Sequence, residues 1–267
     1  MTMEKNLWKH VLSVRQQSPL VHNITNYVVM NNTANALLAA GASPIMAHAK
    51  SEVRDMVTIA GSLVINIGTL DEYWSEAMLI AAETAHSLGK PWVLDPVGAG
   101  ATSFRDDVLQ QLLQFRPAVI RGNASEIMAL AKKNQTTTKG VDSTAQSNEA
   151  LTAGASLLEQ YGAVVCISGA LDFIIGHKQI ICIGNGHPLM TKVTGLGCSA
   201  SAIVGAFIAA VENKTEAATA AMALLGIAGE LAEKHSQGPG SLQLKLIDKL
   251  YNISEEEFLN NIKITLQ

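Results

Sequence analysis

The run Thr194-Gly195-Leu196-Gly197-Cys198-Ser199-Ala200 combines glycines, a thiol and hydroxyls just ahead of a long apolar stretch. Glycines at such a place let the backbone come close to a ligand, and the first N–H groups of the following helix have no partner within it. With the helix dipole, Gly195, Leu196, Gly197 and Cys198 then make an anion hole suited to the oxygens of a transferring phosphoryl group. One glycine-rich helix cap would look the same without any ligand. Other residues strengthen the chemical reading. Asp95 and Glu126 directly follow two β-branched runs, and carboxylates there supply the hard oxygen ligands that Mg²⁺ takes together with water and nucleotide phosphates. Taken singly, Asp95 is equally a turn cap before Pro96, and Glu126 an acidic residue in a first helical turn. Arg121 lies between them in sequence and offers bidentate hydrogen bonds to phosphate, which favours a shared metal-and-phosphate site.

Cys198 falls at a predicted helix start, where a thiol pKa should drop, so nucleophile, weak base and small packing residue all stay open. A cysteine hydrolase needs a positioned histidine and a third orienting group, and no motif sets His22, His48 or His187 beside Cys198. Two further segments supply pocket candidates: Val21-His22-Asn23-Ile24-Thr25-Asn26-Tyr27, and Met46 after Ser43-Pro44-Ile45.

These residues share one feature of placement. Near-continuous apolar runs at Leu63–Ile67, Trp92–Asp95, Ala118–Ile120 and Val164–Ile167 read as strands of a parallel sheet covered on both faces. Helical patterns near Tyr27–Ala40, Glu72–Leu88, Asp106–Phe115, Ser125–Lys132 and Ala150–Tyr161 alternate with them, giving a doubly wound α/β rhythm. Ligands of such sheets bind beyond the carboxyl ends of the strands. Asn66–Thr69, Asp95–Thr102, Arg121–Glu126 and Ser168-Gly169 all sit there. After Gly169 the rhythm changes. Phe173–Gly176 and Gln179–Ile183 flank His177-Lys178 as a small antiparallel hairpin. Ala-rich helices near Ser199–Glu212 and Thr215–Lys234 follow, then a final pair at Ser241–Leu250 and Glu255–Ile262. Asn134–Ser147 reads as a long surface loop, and the whole chain, 1–267, as one domain.

Composition narrows the classes. The 267 residues are 48% hydrophobic and 16% charged with a net charge of −4, which gives no electrostatic reason to expect nucleic acid or an anionic membrane. Only 4% are aromatic, so Ala, Gly and aliphatic side chains must let helices pack closely on the sheet. Cys166, Cys182 and Cys198 form no CxxC pair, pointing to a reduced, cytoplasmic setting. Met1–Arg15 has no apolar core of a signal peptide. The uncharged stretch Val193–Val211 is strongly apolar only from about Ala202, too short for ~30 Å of hydrocarbon.

Five blocks carry a resemblance: Val21–Asn26, Leu94–Thr102, Arg121–Glu126, Thr194–Cys198, and Gly238-Pro239-Gly240-Ser241. In type, order and spacing, from about Pro19 to about Leu250, the chain resembles the hydroxyethylthiazole kinase family. That resemblance implies a ribokinase-like α/β fold with a mostly parallel sheet. It also implies ATP-dependent, Mg²⁺-requiring phosphorylation of 4-methyl-5-(2-hydroxyethyl)thiazole for thiamine biosynthesis and salvage, in a homotrimer with active sites at subunit interfaces. By motif position, Arg121 and Ser168 would bind ATP, Asp95 and Glu126 would hold the metal, and Met46, Gly195, Asn26 and Gly68 would contact the thiazole. The wider ribokinase class carries an Asp base where this chain has Cys198, so the base stays open. Kinases of pyrimidine or pyridoxal alcohols, an ADP-dependent dehydratase of hydrated nicotinamide cofactors and a non-catalytic nucleotide sensor are the rival readings.

Overall fold

The computed structural model describes residues 2–132 and 143–267. Its strands are β1 (Leu20–Ile24), β2 (Ser43–Ile45), β3 (Ser62–Asn66), β4 (Trp92–Asp95), β5 (Val119–Asn123), β6 (Val164–Ser168), β7 (Asp172–Ile175), β8 (Ile180–Ile183) and β9 (Ile264–Leu266). They form a nine-stranded sheet in the order β2-β1-β3-β4-β5-β6-β7-β8-β9. Every pairing among β1 to β6 is parallel, and β7, β8 and β9 continue the sheet antiparallel. The expected hairpin is therefore an extension of the main sheet, and β9 adds an edge strand that the sequence did not announce.

The helices are α1 (Met3–Gln17), α2 (Met30–Ala40), α3 (Val53–Ile59), α4 (Glu72–Ser87), α5 (Ser103–Leu113), α6 (Ala124–Lys132), α7 (Ser143–Tyr161), α8 (Leu196–Ala210), α9 (Lys214–Glu233), α10 (Pro239–Asn252) and α11 (Glu255–Asn261). Successive strand side chains point to opposite faces, and here both faces are apolar. Val64 and Val93 join a core with α1, α2 and α8 to α11. Leu63, Ile65, Trp92 and Leu94 join a second core with α3 to α7. Alanines such as Ala217, Ala218, Ala220 and Ala221 are buried along α9, as the low aromatic content required.

Part of the expected Asn134–Ser147 loop lies outside the described residues. Its last five positions, 143–147, belong to α7. Some helix starts shift from the apolar pattern: α5 and α8 begin three residues earlier than expected, and α2 begins three residues later, at Met30. α5 begins at Ser103 because the Thr102 hydroxyl accepts from the Arg105 N–H at 3.3 Å, capping the first turn. β1 lies between β2 and β3, so the chain reverses its winding direction at β1 and opens a crevice at the carboxyl edge there.

Candidate active site

Helix α8 packs against β3 and β4 and delivers its first turn to the carboxyl edge of the sheet. Gly195 caps it at φ +80°, a backbone conformation that side chains avoid, and a Cβ there would strike Val29. A Cβ on Gly197 would lie 2.8 Å from Nη1 of Arg121, so that glycine lets the helix start sit directly against the guanidinium.

From this turn a chain of hydrogen bonds crosses three strand ends. The Asn26 amide nitrogen donates to Oδ1 of Asn66 at 2.8 Å and to the Cys198 sulfur at 3.5 Å. The Asn66 amide nitrogen donates to Oδ2 of Asp95 at 2.6 Å, and the Ser201 hydroxyl donates to the same oxygen at 2.8 Å. Oδ1 of Asn66 also accepts the Gly68 N–H at 3.0 Å. An ionised carboxylate only accepts, so Asp95 fixes which way the Asn66 amide faces, and Asn66 in turn fixes Asn26. Asn26, Asn66, Asp95 and Ser201 are all buried.

Burial pushes the Asp95 carboxyl up to about 6, against the pull of Arg121, Ser201 and Asn66, while Glu126 adds to the rise. Asp95 therefore remains largely charged at neutral pH. The Cys198 thiol is pushed up to about 11, first by burial and then by the neighbouring Asp95 carboxylate. This corrects the sequence expectation of a lowered pKa. Cys198 does sit in the first turn of α8, but desolvation and a nearby negative charge outweigh the favourable position.

Arg121, on β5, begins a second and more open group. Its Nη2 donates to the Ser168 hydroxyl at 2.8 Å, while its buried Nε finds no hydrogen-bond partner among the described residues. It faces a cavity of about 490 Å³, also lined by Ser168, Asp172, His187, Met190 and Leu225. Burial pushes the Asp172 carboxyl up to about 6, opposed by the Gly169 N–H, which it accepts at 3.0 Å, and by the charge of Arg121. Glu126 accepts the Gly98 N–H at 3.0 Å with one oxygen and the Asn123 N–H at 2.9 Å with the other. It thereby ties the turn after β4 to the end of β5. Among the described residues no three His, Cys, Asp or Glu side chains converge as a self-sufficient metal cage.

The structure thus brings together Asn26, Gly68, Asp95, Arg121, Glu126, Ser168 and the Gly195–Cys198 turn. Met46 is placed apart from the cavity wall, half-buried in the segment that leaves β2. That segment is held where Nε2 of His22 meets the Ala47 carbonyl at 2.8 Å. Sequence reasoning missed Ser201, Asp172 and Arg105. Ser201 lies one helical turn beyond Cys198, and only its bond to Asp95 sets it apart from its neighbour Ser199. Arg105 braces the strand-end loops by donating to the carbonyls of Ile67, Val97 and Gly68, and nothing in its neighbourhood signals that role.

The sequence model of the hydroxyethylthiazole kinase family matches residues 11–256. The chain is 56% identical over 261 residues to a hydroxyethylthiazole kinase of Syntrophus aciditrophicus, covering 97% of each. It superposes on the structure of a hydroxyethylthiazole kinase from Pyrococcus horikoshii with a TM-score of 0.92 at 42% identity, covering 98% of this chain and 99% of that one. A ribokinase-like superfamily protein from Enterococcus faecalis superposes with a TM-score of 0.62 at 14% identity over 86% of each chain, a likeness of fold alone. The expected ribokinase-like α/β architecture is therefore present.

Proposed function

The chain belongs to the hydroxyethylthiazole kinase family, and from that premise we propose that it phosphorylates the primary alcohol of 4-methyl-5-(2-hydroxyethyl)thiazole with ATP, in thiamine biosynthesis and salvage. The observation that carries the site reading is the joining of two groups at one sheet edge. The buried chain Asn26–Asn66–Asp95, with Cys198, ends beside the Arg121 guanidinium and its cavity.

In this reading ATP occupies the cavity, with Arg121 and Ser168 on its phosphates. The Arg121 Nε, without a partner among the described residues, supplies one more donor for them. The N–H groups of the Gly195–Cys198 turn face the transferring group. Asp95 and Glu126 suit Mg²⁺ because both are oxygen donors and the Glu126 charge acts against the buried Asp95 carboxylate, which a bound cation would relieve. Held there, the ion would supply charge neutralisation.

The alcohol oxygen forms a bond to the γ-phosphorus as the bond to the β-phosphate oxygen breaks, releasing ADP. With its thiol proton in place at neutral pH, Cys198 orients the hydroxyl rather than taking its proton. A loose transition state tolerates this, since alignment and charge neutralisation do most of the work and the hydroxyl proton leaves late, to an oxygen of the transferred phosphoryl group or to solvent. Gly195, Gly68, Asn26 and Met46 would hold the thiazole. Met46 lies away from the cavity, and exposed Tyr27 and Val28 stand at the same edge, which supports a pocket completed by a second subunit of a homotrimer. No described helix is long and apolar enough to cross a membrane, and the unpaired cysteines support a cytoplasmic setting.

A coupled assay for ADP release with the thiazole alcohol, pyridoxal and a hydroxymethylpyrimidine as rival acceptors tests the reading. The thiazole alcohol should give the highest kcat/KM. Preference for either rival would overturn the substrate assignment.

A further inference from the structure

The cavity that Arg121 faces is also lined by the segment from Asn185 to Thr191. It leaves β8 and passes into a short 3₁₀ turn, Pro188–Lys192. Its position depends on α9. A Cβ on Gly226 would lie 2.8 Å from the Asn185 backbone carbonyl oxygen, and one on Gly229 would strike the Met190 sulfur. Both glycines therefore let the wall rest directly on the helix.

One carboxylate then fixes the wall in place. Oε1 of Glu230, on α9, accepts the Gly186 N–H at 2.9 Å, and Oε2 accepts from the Asn185 amide nitrogen at 3.2 Å. Asn185, only 6% exposed, uses its remaining groups on the C-terminal segment. It donates to the Asn261 carbonyl at 2.8 Å and accepts the Lys263 N–H at 2.8 Å. The Lys263 ammonium closes the set at 2.9 Å from Oε1 of Glu230.

We propose that Glu230 and Asn185 are positioning residues for nucleotide binding, which hold the 185–191 wall at its spacing from Arg121 and tie it to β9. The proposal rests on reading the cavity as the ATP site. Neither residue belongs to the phosphate-binding group or to the Asn26–Asp95 chain, so their loss should act on nucleotide affinity and leave turnover alone. A purely structural role would instead lower the melting temperature and leave relative affinities unchanged.

The test uses the full chain with Asn185→Asp, Glu230→Gln, the two combined, and Arg121→Ala. Asn185→Asp sets two carboxylates against each other, and Glu230→Gln keeps one acceptor for Gly186 while losing the other. Combined, they rebuild a donor–acceptor pair in the opposite direction. ADP affinity by calorimetry and KM for ATP should weaken about tenfold in each single variant, as for one charge-assisted hydrogen bond. The double variant should recover part of the loss, with kcat and KM for the thiazole alcohol within about twofold throughout. Circular dichroism identifies folded variants. Folded single variants with wild-type ADP affinity would overturn the proposal, as would a parallel loss of kcat and both KM values. Arg121→Ala tests the underlying reading: wild-type ADP affinity in that variant would mean that the cavity is not the nucleotide site.

Discussion

The two ends of the active edge are built on opposite plans. At β1, β3 and β4, the Asn26–Asn66–Asp95 chain is buried and its direction is fixed by donors and acceptors within the protein. At β5, β6 and β7, Arg121 keeps a buried Nε without a partner among the described residues and opens onto a cavity of about 490 Å³. Asp95 and Asp172 make the contrast concrete, since burial raises both to about 6. Asp95 is steadied by two side-chain donors, and Asp172 by one backbone N–H. The first end is set before any ligand arrives, as a group that stabilises a transition state must be. The second leaves donors free for a ligand that comes and goes. Arg121 is the residue whose charge acts on both.

Removing Arg121 should therefore break the comparison most. Arg121→Ala is expected to lower kcat/KM for ATP by about 10³-fold, the upper end for loss of one charge-stabilising group. Steady-state kinetics across ATP concentrations checks this, and a loss below tenfold would separate Arg121 from the phosphates.

Asp172 gives the next effect, read in stability. Its carboxyl stands at about 6 in the folded chain against an ordinary 3.8, so between those values the folded state holds the proton that the unfolded state has released. Stability should then fall as pH rises from about 4 to 6, with the full cost present above 6. About two pKa units correspond to ~3 kcal/mol. Asp172→Asn keeps an oxygen for the Gly169 N–H and removes the charge. Urea unfolding between pH 4 and 8 should show a smaller drop in the variant, the remainder coming from Asp95, which has the same sign. Parallel curves for variant and wild type would refute the assignment.

Glu126→Gln should come next. Gln retains one of the two acceptors used by Gly98 and Asn123, so the turn should persist while a Mg²⁺ held there would lose a charged ligand. Turnover at saturating ATP and Mg²⁺ is expected to fall about 10²-fold, with thiazole affinity little changed. Unchanged turnover would end the metal role for Glu126.

The parts of this architecture that were legible in the sequence are those governed by local pattern. Leu63–Ile67 and Trp92–Asp95 announced buried parallel strands, and each strand end announced its polar residue. The Gly195-Leu196-Gly197 run marked the start of α8 to within a few residues. What stayed hidden depends on partners distant in sequence. Ser201 sits among Ser199, Ala200 and Ala202, and only its 2.8 Å bond to Asp95, 106 positions away, distinguishes it. Glu230 and Asn185 form a clamp across 45 positions, and α9 looks like an ordinary Ala-rich helix without it. The short strand β9 has no apolar run long enough to announce it and exists because β8 offers it an edge.

Cys198 is where local reasoning and tertiary environment disagree, and it should give the smallest effect. Position at a helix start favours the thiolate, and burial beside the Asp95 carboxylate opposes it more strongly, leaving the thiol at about 11. A group protonated at neutral pH cannot serve as the general base, whose removal typically costs about 10²–10⁴-fold. Cys198→Ala removes an orienting contact and a partner of the Asn26 and Asn66 side chains, which keep their mutual bond at 2.8 Å. The expected loss in kcat is about tenfold or less, the scale of one modest hydrogen bond, with KM for ATP unchanged. Cys198→Ser, which restores an orienting hydroxyl, should recover most of it. A loss beyond about 10²-fold in the alanine variant would instead return Cys198 to the role of base. A phosphorylated enzyme intermediate trapped by mass spectrometry would overturn direct transfer altogether.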